Sequence, residues 1–239
     1  MWSWEAFFSF LHNPLILQGA WTTIWLTTVS MALALPLAVL VALGRASRIP
    51  PVRAVTGFYV WLMRGTPLLV QLVIIYTGLP QLGLRLGVIS AALTGLVLNE
   101  AAYLSEIVRA GVLSVPRGQS EAARALGMPP WKVFRVVVMP QALRVMVPPL
   151  GNSFNGLLKT TTLVSVISVE ELLRRTQFAV QTNFRVLEGL TAAALYYLAM
   201  TTVWGLVQRW LEVRVGRGHE NGPTGGRRMK SAALELETR

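Results

Sequence analysis

RGQSEAARALGMPPWKVFRVVVMP, residues Arg117 to Pro140, is a polar interruption halfway along an otherwise apolar chain. Ala122 and Leu126 stand at i, i+4 with Ala123 beside them, which gives a short helix a small apolar face. Ser120 is suited to an N-cap and Gly127 to the C′ position, so a short helix is expected from Ser120 to Leu126. Glu121 and Arg124, at i, i+3, can pair on it. Pro129 and Pro130 stop that helix, and a new one can begin at Pro130, where the missing N–H costs little. On shape alone this is equally an ordinary loop helix lying on lipid headgroups.

The flanking sequence reads as membrane. Of 239 residues, 53% are hydrophobic and 14% charged, against about 25% charged in a typical soluble domain. No Asp, Glu, Lys or Arg lies between Ala6 and Gly44, an interval with room for the roughly 20 apolar residues of a spanning helix. About five spans follow: Gln18 to Leu43, a second between Ala54 and Pro80, then Val88 to Leu113, Val136 to Leu158 and Leu187 to Gln208. The second holds Arg64 and Pro67. It is either one kinked span or an interfacial elbow followed by a span starting near Arg64.

Lys and Arg set the expected orientation. With the C-terminus in the cytosol, Arg45, Arg48, Arg53, Arg117, Arg124, Lys132, Arg135 and the tail bases from Arg209 are cytosolic. Only Arg85, Arg174, Arg175 and Arg185 are then external, so the N-terminus is expected outside and the Arg117–Arg135 stretch inside. The net charge of +11 follows from this bias, and no nucleic-acid partner is expected. MWSWEAFFSFLHNPL has no basic n-region, so it does not read as a cleavable signal peptide. Residues 1–14 are expected as an external N-terminal segment and residues 15–212 as the membrane domain, with its cytosolic loop at 114–135. The Gly-rich, charged residues 213–239 are expected to form a disordered cytosolic tail.

Glu121-Ala122-Ala123 with Gly127, and then Val137, Met139 and Pro140, form the spacing E-A-A-x-x-x-G followed by a branched residue, a spacer, an apolar residue and Pro. That spacing resembles the signature loop of permease subunits in ABC importers. RGTPLLVQL (Arg64–Leu72), NEAAYLSEIVRAGVLSVPRGQ (Asn99–Gln119), PQALRVMVPPLGN (Pro140–Asn152) and LVSVISVEEL (Leu163–Leu172) resemble the subfamily that moves polar amino acids. The resemblance implies an all-α membrane protein with the type I ABC importer permease fold. The Glu121–Gly127 helix is then a cytosolic coupling helix, with Glu121, Ala122, Ala123, Leu126 and Gly127 meeting a separate ATPase chain. ATP and Mg are bound by that chain, and no cofactor or metal by this one. The other implied partners are a second permease copy (the same chain or a paralogue) and an extracytoplasmic amino-acid-binding protein, in the bacterial cytoplasmic membrane.

Polar residues inside spans are costly and mark function. In GNSFNGLLK, Asn152, Asn155 and Lys159 recur on one helical face, with Ser153 beside them. The Lys159 ammonium can pair with a substrate carboxylate, or it can snorkel to the outer headgroups. Thr161 and Thr162 add hydroxyls to such a site or satisfy backbone where the helix breaks. Subfamily members that take basic amino acids often carry an acid near Ser153. The local sequence has none, so the resemblance favours neutral or acidic substrates. Glu106 and Arg109, at i, i+3, read as a structural ion pair. Glu100 faces the pore or packs a helix, and Arg64 marks the interface or the path. Ser168 and Glu171 have capping-box spacing for a short external helix through Arg175, a lip suited to a binding protein.

Enzyme chemistry finds no support. Asp and Cys are absent, His12 and His219 are the only histidines, and neither H-E-x-x-H, G-x-S-x-G nor a phosphate-cradling G-x-x-x-x-G-K-[ST] occurs.

Overall fold

The computed structural model describes residues 2–216, which contain helices and turns and no strand. The N-terminal segment is itself a short helix, α1 (Trp4–Leu11), capped by Ser3, whose hydroxyl accepts from the Ala6 amide. Asn13 caps the long α2 (Pro14–Arg45) by accepting from the Leu15 amide at 2.9 Å, with Pro14 at its first position. Then come α3 (Pro50–Gly65), α4 (Leu68–Val73, extended by tighter and wider turns to Leu82), α5 (Val88–Leu113), α6 (Arg117–Ala125) and α7 (Pro130–Val133). A π-turn over Phe134–Val138 leads into α8 (Met139–Thr160), whose end tightens into a 3-10 segment, Thr161–Ile167. α9 (Leu172–Gln181) and α10 (Val186–Gly216) complete the described chain. Because α10 reaches Gly216, residues 213–216 are helical. The disorder expected of the remaining tail, 217–239, lies outside the described residues.

Four stretches are long and apolar enough to cross a membrane: Pro14–Arg45, Val88–Leu113, Pro130–Ile167 and Val186–Val215. A fifth is the pair Pro50–Gly65 and Leu68–Leu82, bent by 106° at its break. The chain therefore turns sharply at Arg64–Pro67. Proline disfavours helical backbone at the residue before it, and Thr66 accordingly adopts φ −119°, ψ 145°. The bend is held by side chains. The Gln71 amide donates to the carbonyls of Met63 and Thr66 and to the Thr66 hydroxyl, and Asn99 on α5 donates to Met63 O and Gln71 Oε1. Tyr59 donates to Leu98 O at 2.6 Å.

Without water, spans pack by close approach of small residues. Ala34 and Ala38 of α2 meet Ala101 and Leu104 of α5 in a seam with no exposed surface. Large apolar residues such as Trp21, Leu40, Leu198 and Leu206 project outward from the spans, as lipid-facing positions do. One end of the bundle gathers α1, α9 and the start of α2. The other gathers α6 with the ends of α2 and α5.

At the first of these ends, α2 and α9 touch through backbone. A Cβ on Gly19 would sit 2.9 Å from Leu172 Cα and 3.1 Å from Glu171 O, neither of which can swing aside. Gly19→Ala is therefore expected to cost about 1–3 kcal/mol through overpacking, read as a lowered thermal midpoint of the purified chain. Gly205→Ala, with open space at its Cβ, should not lower the midpoint.

Candidate functional site

The polar interruption folds as α6, which starts at Arg117 after an extended Pro116, three residues earlier than the Ser120 cap expected from sequence. Ser120 lies inside the helix, because Pro116 already supplies the break that a cap would mark. The C-terminal end is as expected. Gly127 adopts φ +77° and its amide donates to Arg124 O at 2.9 Å, while Met128 N donates to Ala123 O at 3.2 Å. This pair of bonds closes the helix and is readily made when the C′ residue is glycine.

Ala122 and Leu126 both face outward, Leu126 at 83% exposure. Glu121 is exposed beside them. Ala123 does not join that face. It is turned 100° from its neighbour, is 6% exposed, and lies on the side of α6 that packs onto the Phe134–Val138 turn. Ala123 thus anchors the helix rather than presenting it, which corrects the expectation of a single Ala-Ala surface. None of the ion pairs among the described residues joins Glu121 to Arg124.

The polar residues of α8 divide between two neighbours. Asn152 turns to α10, where its carbonyl accepts from Gln208 Nε2 at 3.2 Å, and Trp204 Nε1 donates to Gly151 O at 2.8 Å. Ser153 turns to α5 and lies beside the Glu100 carboxylate. Glu100 Oε1 and Asn155 Oδ1 are buried with no protein partner. A carboxylate from another helix therefore stands beside Ser153, where the local sequence has no acid. Lys159 is exposed in the last turn of α8 and is in none of the ion pairs among the described residues. Thr161 is fully buried and gives its hydroxyl to Leu158 O at 2.8 Å, and Thr162 gives its own to Lys159 O at 2.8 Å. Of the two roles open to these hydroxyls, satisfying backbone at the break is the one observed.

At the opposite end, α9 is capped by Glu171, not by Ser168. The Glu171 carboxylate accepts from the amides of Leu173 and Arg174 at 2.9 and 2.8 Å, and from the Tyr197 hydroxyl at 2.8 Å. Ser168 instead turns the chain at φ +70°, and the helix runs six residues past Arg175. Glu171 has no exposed surface. Burial raises its carboxyl above the usual carboxylate value, against the lowering pull of those three donors. Glu106 pairs with Arg109 at 2.8 Å, as its spacing suggested, and Arg45 adds a contact at 3.5 Å.

Residues 34–217, from mid-α2 to just past α10 and including α6 and the polar face of α8, match the family described as binding-protein-dependent transport system inner membrane component. The chain belongs to this family. Its relatives include the glutamine transport system permease protein GlnP of Escherichia coli (strain K12), 38% identical over 204 residues, covering 84% of this chain and 93% of that protein. The L-cystine transport system permease protein TcyB of Bacillus subtilis (strain 168) is 42% identical over 205 residues, covering 85% and 88%. A solved amino acid ABC transporter crystallised with histidines superposes at TM-score 0.84 and 34% identity, covering 90% of this chain and 99% of that one. In this permease family's fold, α6 is a short helix between two spans, and its exit angle depends on Gly127.

No atom other than those of its own turn lies within 4 Å of a Cβ built on Gly127, so substitution there tests backbone conformation alone. Gly127→Ala is expected to cost roughly 1–2 kcal/mol through the left-handed φ. Faster amide exchange at Gly127 and Met128, with the spans unchanged, is the measurement that checks it.

Proposed function

We propose that this permease chain carries polar amino acids across the cytoplasmic membrane, driven by a separate ATPase that binds ATP and Mg and grips the Glu121–Gly127 helix. The observation that carries this reading is α6 itself: a closed helix, buried on Ala123 and bare on Ala122 and Leu126. A small apolar ridge of this kind suits insertion into a cleft on another protein, where tight packing requires small side chains. Two such permease chains, identical or paralogous, would each rest on one ATPase. An extracytoplasmic binding protein would deliver solute at the α9 end. The N-terminus is then outside and the C-terminus in the cytosol, consistent with the distribution of Lys and Arg.

The α5–α8 face offers chemistry for an amino acid. Lys159, in none of the ion pairs among the described residues, is suited to a carboxylate, and Glu100 Oε1, without a partner among them, is suited to an ammonium group. Ser153 and Asn155 supply neutral partners on that face, while Asn152 is held by Gln208 on α10. Polar amino acids are the substrate class favoured, because relatives named for glutamine, L-cystine and arginine alike share most of the chain's length.

Leu126→Glu would place an unpaired carboxylate in the ATPase contact, at a cost of several kcal/mol. ATPase co-purification should fall more than about tenfold, with membrane insertion intact because Leu126 touches little of its own chain. Normal co-purification would end the coupling assignment. Lys159→Ala should raise the KM for uptake by about tenfold or more, the worth of one charge-assisted hydrogen bond, while the ATPase stays bound. Unchanged uptake by the reconstituted permease, ATPase and binding protein would remove Lys159 from the solute site.

A further inference from the structure

Where the elbow α3 crosses α2 and α5, at the α6 end, a cleft of about 390 Å³ opens between Arg45, Trp61, Arg64, Tyr103 and Glu106. Its charge is unbalanced. Arg45 and Arg109 both pair with Glu106, at 3.5 and 2.8 Å. Arg64, also near enough for its charge to act on Glu106, is in none of the ion pairs among the described residues. Its guanidinium lies over the Tyr103 ring at 5.3 Å, so its N–H donors remain available. Three guanidinium groups therefore surround one carboxylate.

The outer side of the cleft is apolar. Val55, Phe58 and Trp61, each three residues apart, form an exposed stripe along α3, with the Phe58 and Trp61 rings 5.7 Å apart. The 106° bend sets α3 across the direction of the following span, which lays the stripe along the membrane boundary, where an amphipathic helix with Trp and Arg beds into the headgroup region.

We infer that the Arg45–Arg64 cleft is a binding site for the headgroup of an anionic phospholipid, with Arg64 holding the phosphate and the acyl chains lying along the Val55–Trp61 stripe. A guanidinium fork matches phosphate oxygens in a bidentate fashion. A solute carboxylate would satisfy the same fork but would leave the apolar stripe unused, so the lipid is the occupant that employs the whole surface. The elbow is thereby fastened to the bilayer as well as to α5.

The full chain, purified from mixed phosphatidylglycerol and phosphatidylcholine, is examined by native mass spectrometry for retained lipid. The wild type should retain phosphatidylglycerol in preference. Arg64→Gln should cut that preference about fivefold, the contribution of one base at a lipid surface. Arg64→Lys, which keeps the charge and loses the fork, should fall between wild type and Arg64→Gln, and Arg117→Gln, on α6, should keep all of it. Should Arg64→Gln fail to fold, brominated phosphatidylglycerol is expected to quench wild-type tryptophan fluorescence more than brominated phosphatidylcholine does, with the difference reduced in Trp61→Phe. Undiminished phosphatidylglycerol preference in Arg64→Gln, equal quenching by both lipids, or displacement of the lipid by excess free glutamate would overturn the assignment.

Discussion

In hydrocarbon no water is present to satisfy a broken helix, so every backbone donor and acceptor at membrane depth needs a partner within the protein. Among the described residues this chain nonetheless departs from regular α-helix at several places along its spans, and much of its polar side-chain inventory is explained by repairing them. At the elbow, Thr66 donates to Leu62 O, and Gln71 and Asn99 cover Met63 O. At the Phe134–Val138 turn, Gln141 Nε2 donates to Val137 O at 2.8 Å. Where α8 tightens, Thr160, Thr161, Thr162 and Ser165 donate in succession to Gly156, Leu158, Lys159 and Thr162 carbonyls. Hydroxyls clustered at a break are structural before they are functional, and solute chemistry falls to what is left unpaired.

That distinction separates what was legible in the sequence from what was not. Uncharged length and basic loops located the spans, because hydropathy and charge act locally. Gly127 was legible because few residues other than glycine accept φ +77° at the end of a helix. Pro67 signalled a break but not a 106° turn, since the angle is set by Gln71 and Asn99 acting from either side of it. The contact between Ser153 and Glu100 joins residues 53 apart on different helices, and no local pattern announces it. Glu171 was assigned to the right helix in the wrong role: it caps α9 three residues later than the Ser168 cap expected, because Ser168 is spent on reversing the chain. Ala123 could have been separated from Ala122 by helical geometry alone, since adjacent positions point 100° apart.

The departures also decide where the bundle can flex. The α2–α5 seam packs Ala34 and Ala38 against Ala101 and Leu104 with no exposed surface, an arrangement that resists sliding. The elbow, the π-turn and the 3-10 segment instead rest on a few side-chain hydrogen bonds apiece. A π-turn within an α-helix frequently accompanies function, and this one lies between α7 and α8, directly beneath α6.

Displacement of α6 would therefore reach the membrane by a short route. Ala123 seats the helix on the Phe134–Val138 turn, and Val138 packs with Val115, Ala142 and Met146 where α5 and α8 meet. A push on Leu126 is borne by a helix closed at Gly127, so it cannot be absorbed by fraying of the last turn. It passes instead to the root of α8, whose far end carries Ser153, Asn155 and Lys159. A softer C-terminal cap would let α6 yield locally and leave α8 where it was. The glycine that ends a two-turn helix is thus also what makes that helix stiff enough to act as a lever on the polar face.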